Sequence, residues 1–158
     1  MSNSATTATL SAVLTMRESA LAFQGNIAGL SGQPTLRIYA SAETHSSVDK
    51  AIRIAGIGQE NLVKIPTDQG LSMKPGALAG ALAADRAAGL CPAGVILCAG
   101  GTSVGAFDRI GECIDVAHAA GLPVHVDAAW AGAAAKRPMA KARALKDVRN
   151  MIRPSPSA

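Results

Sequence analysis

Apolar residues recur along the first 127 positions at two spacings, and segments of the two kinds alternate. A helical spacing, with apolar residues three or four positions apart, predicts helices at residues 4–22, 45–55, 75–88 and 109–120. Short continuous apolar runs predict strands at residues 36–40, 62–65, 94–98 and 124–126. The glycine-rich residues 25–34 predict a loop. This alternation is typical of an α/β fold, in which a mostly parallel sheet is flanked by helices.

Polar residues follow several of the predicted strands. His45 comes after the first strand and its loop, Thr102 after the strand that ends at Cys98, and Asp127 after the last strand. In parallel sheets, ligands bind beyond the carboxyl ends of the strands, so these residues are candidates for one site. Residues 4–7 begin the first predicted helix, where free backbone N–H groups can hold a phosphate.

Composition narrows the class of protein further. The chain has 158 residues, of which 49% are hydrophobic and only 3% aromatic, which favours helices packed closely on a sheet over a large aromatic core. No apolar run reaches the roughly 18 residues of a membrane helix, and residues 1–4 lack the features of a secretory signal. We therefore predict a cytoplasmic location and no membrane partner.

The net charge of +4 is concentrated at one end of the chain. Residues 136–158 contain seven basic residues and one acid, and so carry +6, which leaves −2 for residues 1–135. We predict two parts: residues 1–135, the folded body, and residues 136–158, a basic and disordered tail. A tail that binds nucleic acid or anionic membrane is an alternative, but it lacks interleaved aromatic residues and an amphipathic face. No nucleic-acid partner is therefore expected.

Considered one at a time, the candidate residues leave alternatives open. Asp127 is either the charge partner of a cationic ligand group or a cap of a turn or helix. His45 is either a first-turn helix residue with a satisfied ring or an imidazole placed over a flat ligand. Gly100 and Gly101 permit a ligand to approach closely, but the patterns of a P-loop and of a dinucleotide site are absent.

Two other kinds of chemistry find little support. The three cysteines lack zinc-ligand spacing, so no metal site is predicted. His125 and Asp127 could suggest a hydrolase relay, but no nucleophile elbow accompanies them.

Four strings in a fixed order carry a family resemblance. They are Ser4-Ala5-Thr6-Thr7-Ala8-Thr9-Leu10, Thr44-His45-Ser46-Ser47-Val48, Gly100-Gly101-Thr102-Ser103-Val104-Gly105-Ala106-Phe107-Asp108 and His125-Val126-Asp127-Ala128-Ala129-Trp130-Ala131-Gly132. From about residue 4 to residue 134 the chain resembles the pyridoxal-phosphate-dependent group II amino-acid decarboxylases, the aromatic-L-amino-acid and glutamate decarboxylase-like group. Aminotransferases and cysteine desulfurases are more distant alternatives, because the second and fourth strings favour the decarboxylases.

The resemblance implies a fold, an activity and partners. The fold would be part of the large domain of the fold-type I pyridoxal-phosphate enzymes, which are aspartate aminotransferase-like. The activity would be decarboxylation of an L-amino acid with pyridoxal 5'-phosphate as cofactor, in a homodimer. An aromatic substrate is favoured, and glutamate or sulfinoalanine remains open.

The resemblance also implies roles for individual residues. Asp127 would pair with the protonated pyridine nitrogen, and His45 would stack on one face of the ring. The methyl group of Ala129 would pack on the other face, and Thr102 would lie near the polar edge of the ring. The phosphate would be held by Ala5 and Thr6 at the helix start. His125 would be structural support.

One family feature is missing. Family members carry their Schiff-base lysine downstream of the Asp motif, in a His-Lys pair, and this chain has no His-Lys dipeptide. The lysines after Asp127, namely Lys136, Lys141 and Lys146, lie in the basic tail. We therefore expect a truncated chain whose tail is unrelated to the family, for example through an out-of-frame reading, and which is inactive alone. The alternative to a decarboxylase is an inactive remnant with at most residual cofactor binding.

Overall fold

The computed structural model describes residues 5–100 and 107–128. Helices and strands follow one another as α1 (Ala5–Ala20), α2 (Gln24–Ala28), β1 (Leu36–Ser41), α3 (Ser46–Ile54), β2 (Leu62–Ile65), α4 (Pro75–Ala87), β3 (Cys91–Cys98), α5 (Ile110–Ala119) and β4 (Val124–Asp127). A 3-10 turn, Gln59–Asn61, leads into β2. The four predicted helices and four predicted strands are therefore confirmed.

The strands form one parallel sheet in the order β2-β1-β3-β4. Ile38 lies opposite Leu62 on β2 and opposite Gly94 on β3, while Cys98 at the end of β3 lies opposite Asp127 at the end of β4. All four carboxyl ends therefore lie at one edge of the sheet. The predicted α/β class with a mostly parallel sheet is confirmed.

Helices cover both faces of this sheet, as side-chain alternation along buried strands requires. Ile38, Ala40 and Ile96 belong to a core shared with α1 and α3. Tyr39, Val95 and Leu97, from the alternate positions, belong to a second core shared with α4 and α5. Within the described residues, no helix is long and apolar enough to cross a membrane.

One predicted loop and one predicted strand boundary were wrong. The segment predicted as a loop at residues 25–34 contains α2, a single helical turn preceded by Phe23 in the left-handed region at φ 64°. The strand predicted at residues 94–98 begins three residues earlier, at Cys91. Proline argues against an internal strand, but Pro92 lies before the pairing with β4 begins at Val95 and beside a register irregularity, so its missing N–H costs no ladder bond there.

Candidate functional site

The connections of the sheet create a crevice between β1 and β3. The chain leaves the carboxyl end of β1 toward α3 on one face, and leaves the neighbouring β3 toward α5 on the opposite face. Loops that diverge from adjacent parallel strands leave a cleft between them, and such switch points are the usual ligand sites of open α/β sheets. His45 and Thr102 follow these two strands in the sequence.

The orientation of α1 brings its amino end to the same edge. Near the other end of α1, Met16 packs against Gly94 close to the start of β3. Arg17 donates a hydrogen bond of 2.8 Å to the carbonyl oxygen of Ala55, at the end of α3. Since α1 also packs on β3 and β4, it runs back along the sheet toward the carboxyl ends of these strands. Ala5 and Thr6, the first residues of α1, therefore lie at the carboxyl edge.

His45 lies just before α3 and caps it. Its Nδ1 accepts a hydrogen bond of 3.1 Å from the backbone N–H of Ser47 and lies 3.0 Å from the Ser47 hydroxyl. A backbone N–H can only donate, so Nδ1 must carry the lone pair and Nε2 the proton. The ring therefore has a hydrogen-bond partner within its own helix turn, as the first of the two hypotheses for His45 stated. His45 is nevertheless exposed. The capping bond thus holds a neutral imidazole in a fixed orientation at the crevice.

Asp127 is the last residue of β4 and lies opposite Cys98. By alternation, its side chain lies on the face of the sheet that α1 and α3 cover, as does that of Cys98. Burial, together with the nearby carboxylates of Asp108, Asp127 and Glu43, raises the pKa of the Cys98 thiol to about 11. Cys98 is thus a buried, protonated thiol, and the edge around it carries negative charge.

Asp108 is a residue of this edge whose role the sequence analysis did not identify. Its side chain is 6% exposed, and it accepts hydrogen bonds from the backbone N–H groups of Met73 at 2.8 Å and Cys98 at 2.6 Å. It also bonds the side chain of Ser41, at the end of β1. Burial raises the pKa of Asp108 despite these bonds, which lower it. The carboxylate thus joins the ends of β1 and β3 to the segment before α4.

The segment before α4 also contacts the residues that lead into α5. Ser72 donates to the carbonyl oxygen of Phe107, Asp68 pairs with Arg109 at 2.9 Å, and Ala99 forms an antiparallel bridge with Phe107. Ala99 and Phe107 are therefore held together, and the N–H of Ala99 donates to the carbonyl oxygen of Asp127 at 2.9 Å. An aspartate just before a helix usually acts as its N-cap. Here Arg109 is the N-cap residue of α5, and Asp108 instead accepts bonds from residues earlier in the chain.

The structure therefore has three of the predicted positions at one edge of the sheet: the start of α1 with Ala5 and Thr6, His45 at the start of α3, and Asp127 at the end of β4. The side chain of Thr6 is exposed. Thr102 and Ala129 lie outside the described residues, as does the tail at 136–158.

His125 lies two residues before Asp127, on the same face, and gives a pH-dependent prediction. Burial lowers its pKa from the ordinary value of 6.5, and Asp127 offsets only part of this shift. Between the two values, the unfolded chain binds more protons than the folded chain, so stability is full above about pH 6.5 and falls as the pH decreases below it. We expect His125→Gln to flatten the decline in Tm between pH 7.5 and 5.5, followed by circular dichroism. His118→Gln, at an exposed position on α5, is the control; equal slopes in the two variants would contradict this assignment.

Comparison with known proteins identifies what this arrangement is similar to. A family profile described as "Pyridoxal-dependent decarboxylase conserved domain" matches residues 1–148, and so extends past residue 135 into the basic tail. Tryptophan decarboxylase 1 of Oryza sativa subsp. japonica is 41% identical over 131 residues, which cover 80% of this chain and 25% of that protein. A human acidic amino acid decarboxylase is 41% identical over 106 residues, which cover 67% of this chain and 20% of that protein.

Solved structures agree with the sequence matches. The crystal structure of Oryza sativa TDC with PLP has a TM-score of 0.77 and 37% identity, covering 87% of this chain and 29% of that one. The chain thus spans about a quarter or less of the length of the curated relatives described above.

Proposed function

Because this chain belongs to the pyridoxal-dependent decarboxylase family, we propose that it forms part of the cofactor site of an enzyme that decarboxylates an L-amino acid. The single observation that carries this proposal is the convergence of the start of α1, His45 and Asp127 at one edge of the sheet. The fold by itself would not select a reaction, since one fold hosts many activities.

The described residues fit pyridoxal phosphate, which has a flat ring, a basic ring nitrogen and a phosphate. Asp127 offers a carboxylate for the protonated nitrogen, and His45 offers a neutral, oriented imidazole for one ring face. The first turn of α1 contains no acidic residue, and its N–H groups and the positive end of its helix dipole suit the phosphate. When bound, the cofactor supplies an electron sink for the bonding pair that remains after carbon dioxide leaves.

The chain's own residues would orient the ring and hold a proton. The carboxylate of Asp127 keeps a proton on the ring nitrogen, because a charged acceptor stabilises the cationic ring. His45 keeps its orientation through the bond from Ser47. We further propose that Ala129 packs on the second ring face and that Thr102 contacts its polar edge.

We propose that the 158-residue chain does not turn over by itself. Family members carry the cofactor on a lysine of a His-Lys pair, and the printed sequence has no such pair. Covalent catalysis requires its nucleophile, so cofactor binding without turnover is expected. The alternative is a remnant that binds the cofactor weakly or not at all. The two proposals therefore differ in the expected affinity for the cofactor.

For the complete enzyme, we propose an aromatic rather than an acidic substrate. Sequence similarity does not decide this, because the rice tryptophan decarboxylase and the human acidic amino acid decarboxylase are equally identical to the chain. Charge favours the aromatic class: Glu43 and Asp127 both lie near Cys98, and a second substrate carboxylate would be repelled there. The homodimer and the cytoplasmic location stay predictions.

A titration tests the proposed function. Adding pyridoxal phosphate to the purified chain should give a saturable absorbance change, and pyridoxal without phosphate should bind more weakly, because it cannot use the start of α1. Released carbon dioxide, measured with L-tryptophan and L-glutamate, should stay at the level of free cofactor. The absence of saturable binding would contradict the cofactor site, and carbon dioxide above that level would contradict inactivity.

A further inference from the structure

One buried hydroxyl near the start of α1 makes no hydrogen bond within the described part of the chain. Thr9 is 0% exposed, and its Oγ1 is the one buried side-chain oxygen or nitrogen among the described residues that lacks a hydrogen-bond partner. Leaving a buried hydroxyl unsatisfied costs roughly 1–3 kcal/mol, so such groups are rare and need an explanation.

Other hydroxyls of the same helix donate to a backbone carbonyl oxygen four residues earlier. Ser11 donates to the carbonyl oxygen of Thr7 at 3.0 Å, and Thr15 donates to that of Ser11 at 2.9 Å. These bonds to the preceding turn are the ordinary way in which a helical hydroxyl is satisfied. Thr9 makes no such bond, although it is the most buried of the three.

The position of Thr9 on α1 places it beneath the crevice. Thr9, Val13 and Met16 form the buried face of the helix, and Met16 lies against Gly94. Seven residues of helix rise about 10 Å, which equals roughly three residues of strand, so Thr9 lies near the level of Leu97 and Cys98. Side chains of a helix also lean toward its amino end. From this position, the Thr9 side chain leans toward the carboxyl edge of the sheet.

We propose that Thr9 is a further binding residue of this site, whose hydroxyl donates a hydrogen bond to an oxygen of the bound pyridoxal phosphate. This inference rests on the proposed function. It explains the missing partner, because the acceptor belongs to the ligand and not to the chain. It also predicts that the Thr9 hydroxyl lowers the stability of the free chain while it strengthens binding of the cofactor.

Two substitutions separate these requirements. Thr9→Val keeps the shape and removes the unsatisfied hydroxyl, so Tm should rise by roughly 3 °C. The affinity for pyridoxal phosphate should fall roughly threefold to tenfold, the effect of one hydrogen bond. Thr9→Ser should show the reverse pattern, with a lower Tm, because a buried methyl group is lost, and an affinity within twofold of wild type.

The experiment compares Tm by circular dichroism with the dissociation constant from absorbance titration, for the full chain. Thr15→Val, on the exposed side of α1, is the matched control and should leave the affinity unchanged. If wild type binds but Thr9→Val binds equally well, the Thr9 inference is overturned while the proposed function stands. If wild type does not bind, the proposed function fails first and the inference fails with it.

Discussion

Replacing Asp108 with alanine is expected to destabilise the chain by about 3 kcal/mol and to lower its Tm by roughly 10 °C. The substitution leaves the N–H groups of Met73 and Cys98 without an acceptor in a buried position, and it also removes the partner of Ser41. Each buried donor left unpaired costs roughly 1–3 kcal/mol, and part of this is offset because the burial of a carboxylate is itself unfavourable.

Urea denaturation followed by circular dichroism measures the effect, and Asp115→Ala is the control. Asp115 is exposed on α5, so its loss should change the free energy of unfolding by no more than about 0.5 kcal/mol. Asp108→Asn should fall between the two, because its amide can accept one of the bonds but presents a donor to the other N–H group. A stability of Asp108→Ala within 0.5 kcal/mol of wild type would show that Asp108 does not anchor the edge.

Replacing Asp127 with asparagine is expected to weaken binding of pyridoxal phosphate by roughly tenfold to a hundredfold. Asparagine occupies nearly the same volume but carries no charge, so it no longer favours the protonated ring nitrogen. A hydrogen bond between charged groups contributes roughly 1.5–3 kcal/mol, which corresponds to this range of affinity. Because Asp127 lies at the half-buried end of β4, the fold should be retained.

Absorbance titration measures the affinity, and the circular dichroism spectrum checks the fold. Asp127→Glu keeps the charge on a longer side chain and should recover part of the binding, while Asp115→Asn should bind as wild type does. Wild-type affinity in Asp127→Asn would show that its charge does not hold the ring. Loss of binding in Asp127→Glu and Asp127→Asn alike would instead show that the charge and the length of the Asp127 side chain are both required.

Much of the fold follows from local patterns. β2 has the predicted bounds Leu62–Ile65, and α4 begins at Pro75 as predicted, because proline suits the first turn of a helix. The short helix α2 was missed because it lies in a glycine-rich segment, and tertiary contacts support it. The buried carboxylate of Glu18 accepts a bond from the N–H of Asn26 at 2.9 Å. This partner is eight residues away in the chain, beyond the reach of helix or strand periodicity.

The candidate site also has features that local sequence predicts and features that it does not. Asp127 and His45 could be predicted as site residues from sequence, because the end of a parallel strand and the order of the four motifs both indicate them. The capping bond that orients His45 is local as well, since it joins residues only two apart. In contrast, the bond from Met73 to Asp108 spans 35 residues, and no local pattern predicts it.

By itself, the sequence determined the α/β class and the family, and it predicted two residues, Asp127 and His45, for the ring of the cofactor. These depend on side-chain periodicity and on short strings, which are properties of neighbouring residues. Only the tertiary structure decided that Asp108 joins three segments and that Thr9 lacks a partner. Burial and the pairing of hydrogen-bond donors with acceptors depend on distances between elements, and these distances exist only after α1, the sheet and its loops have packed together.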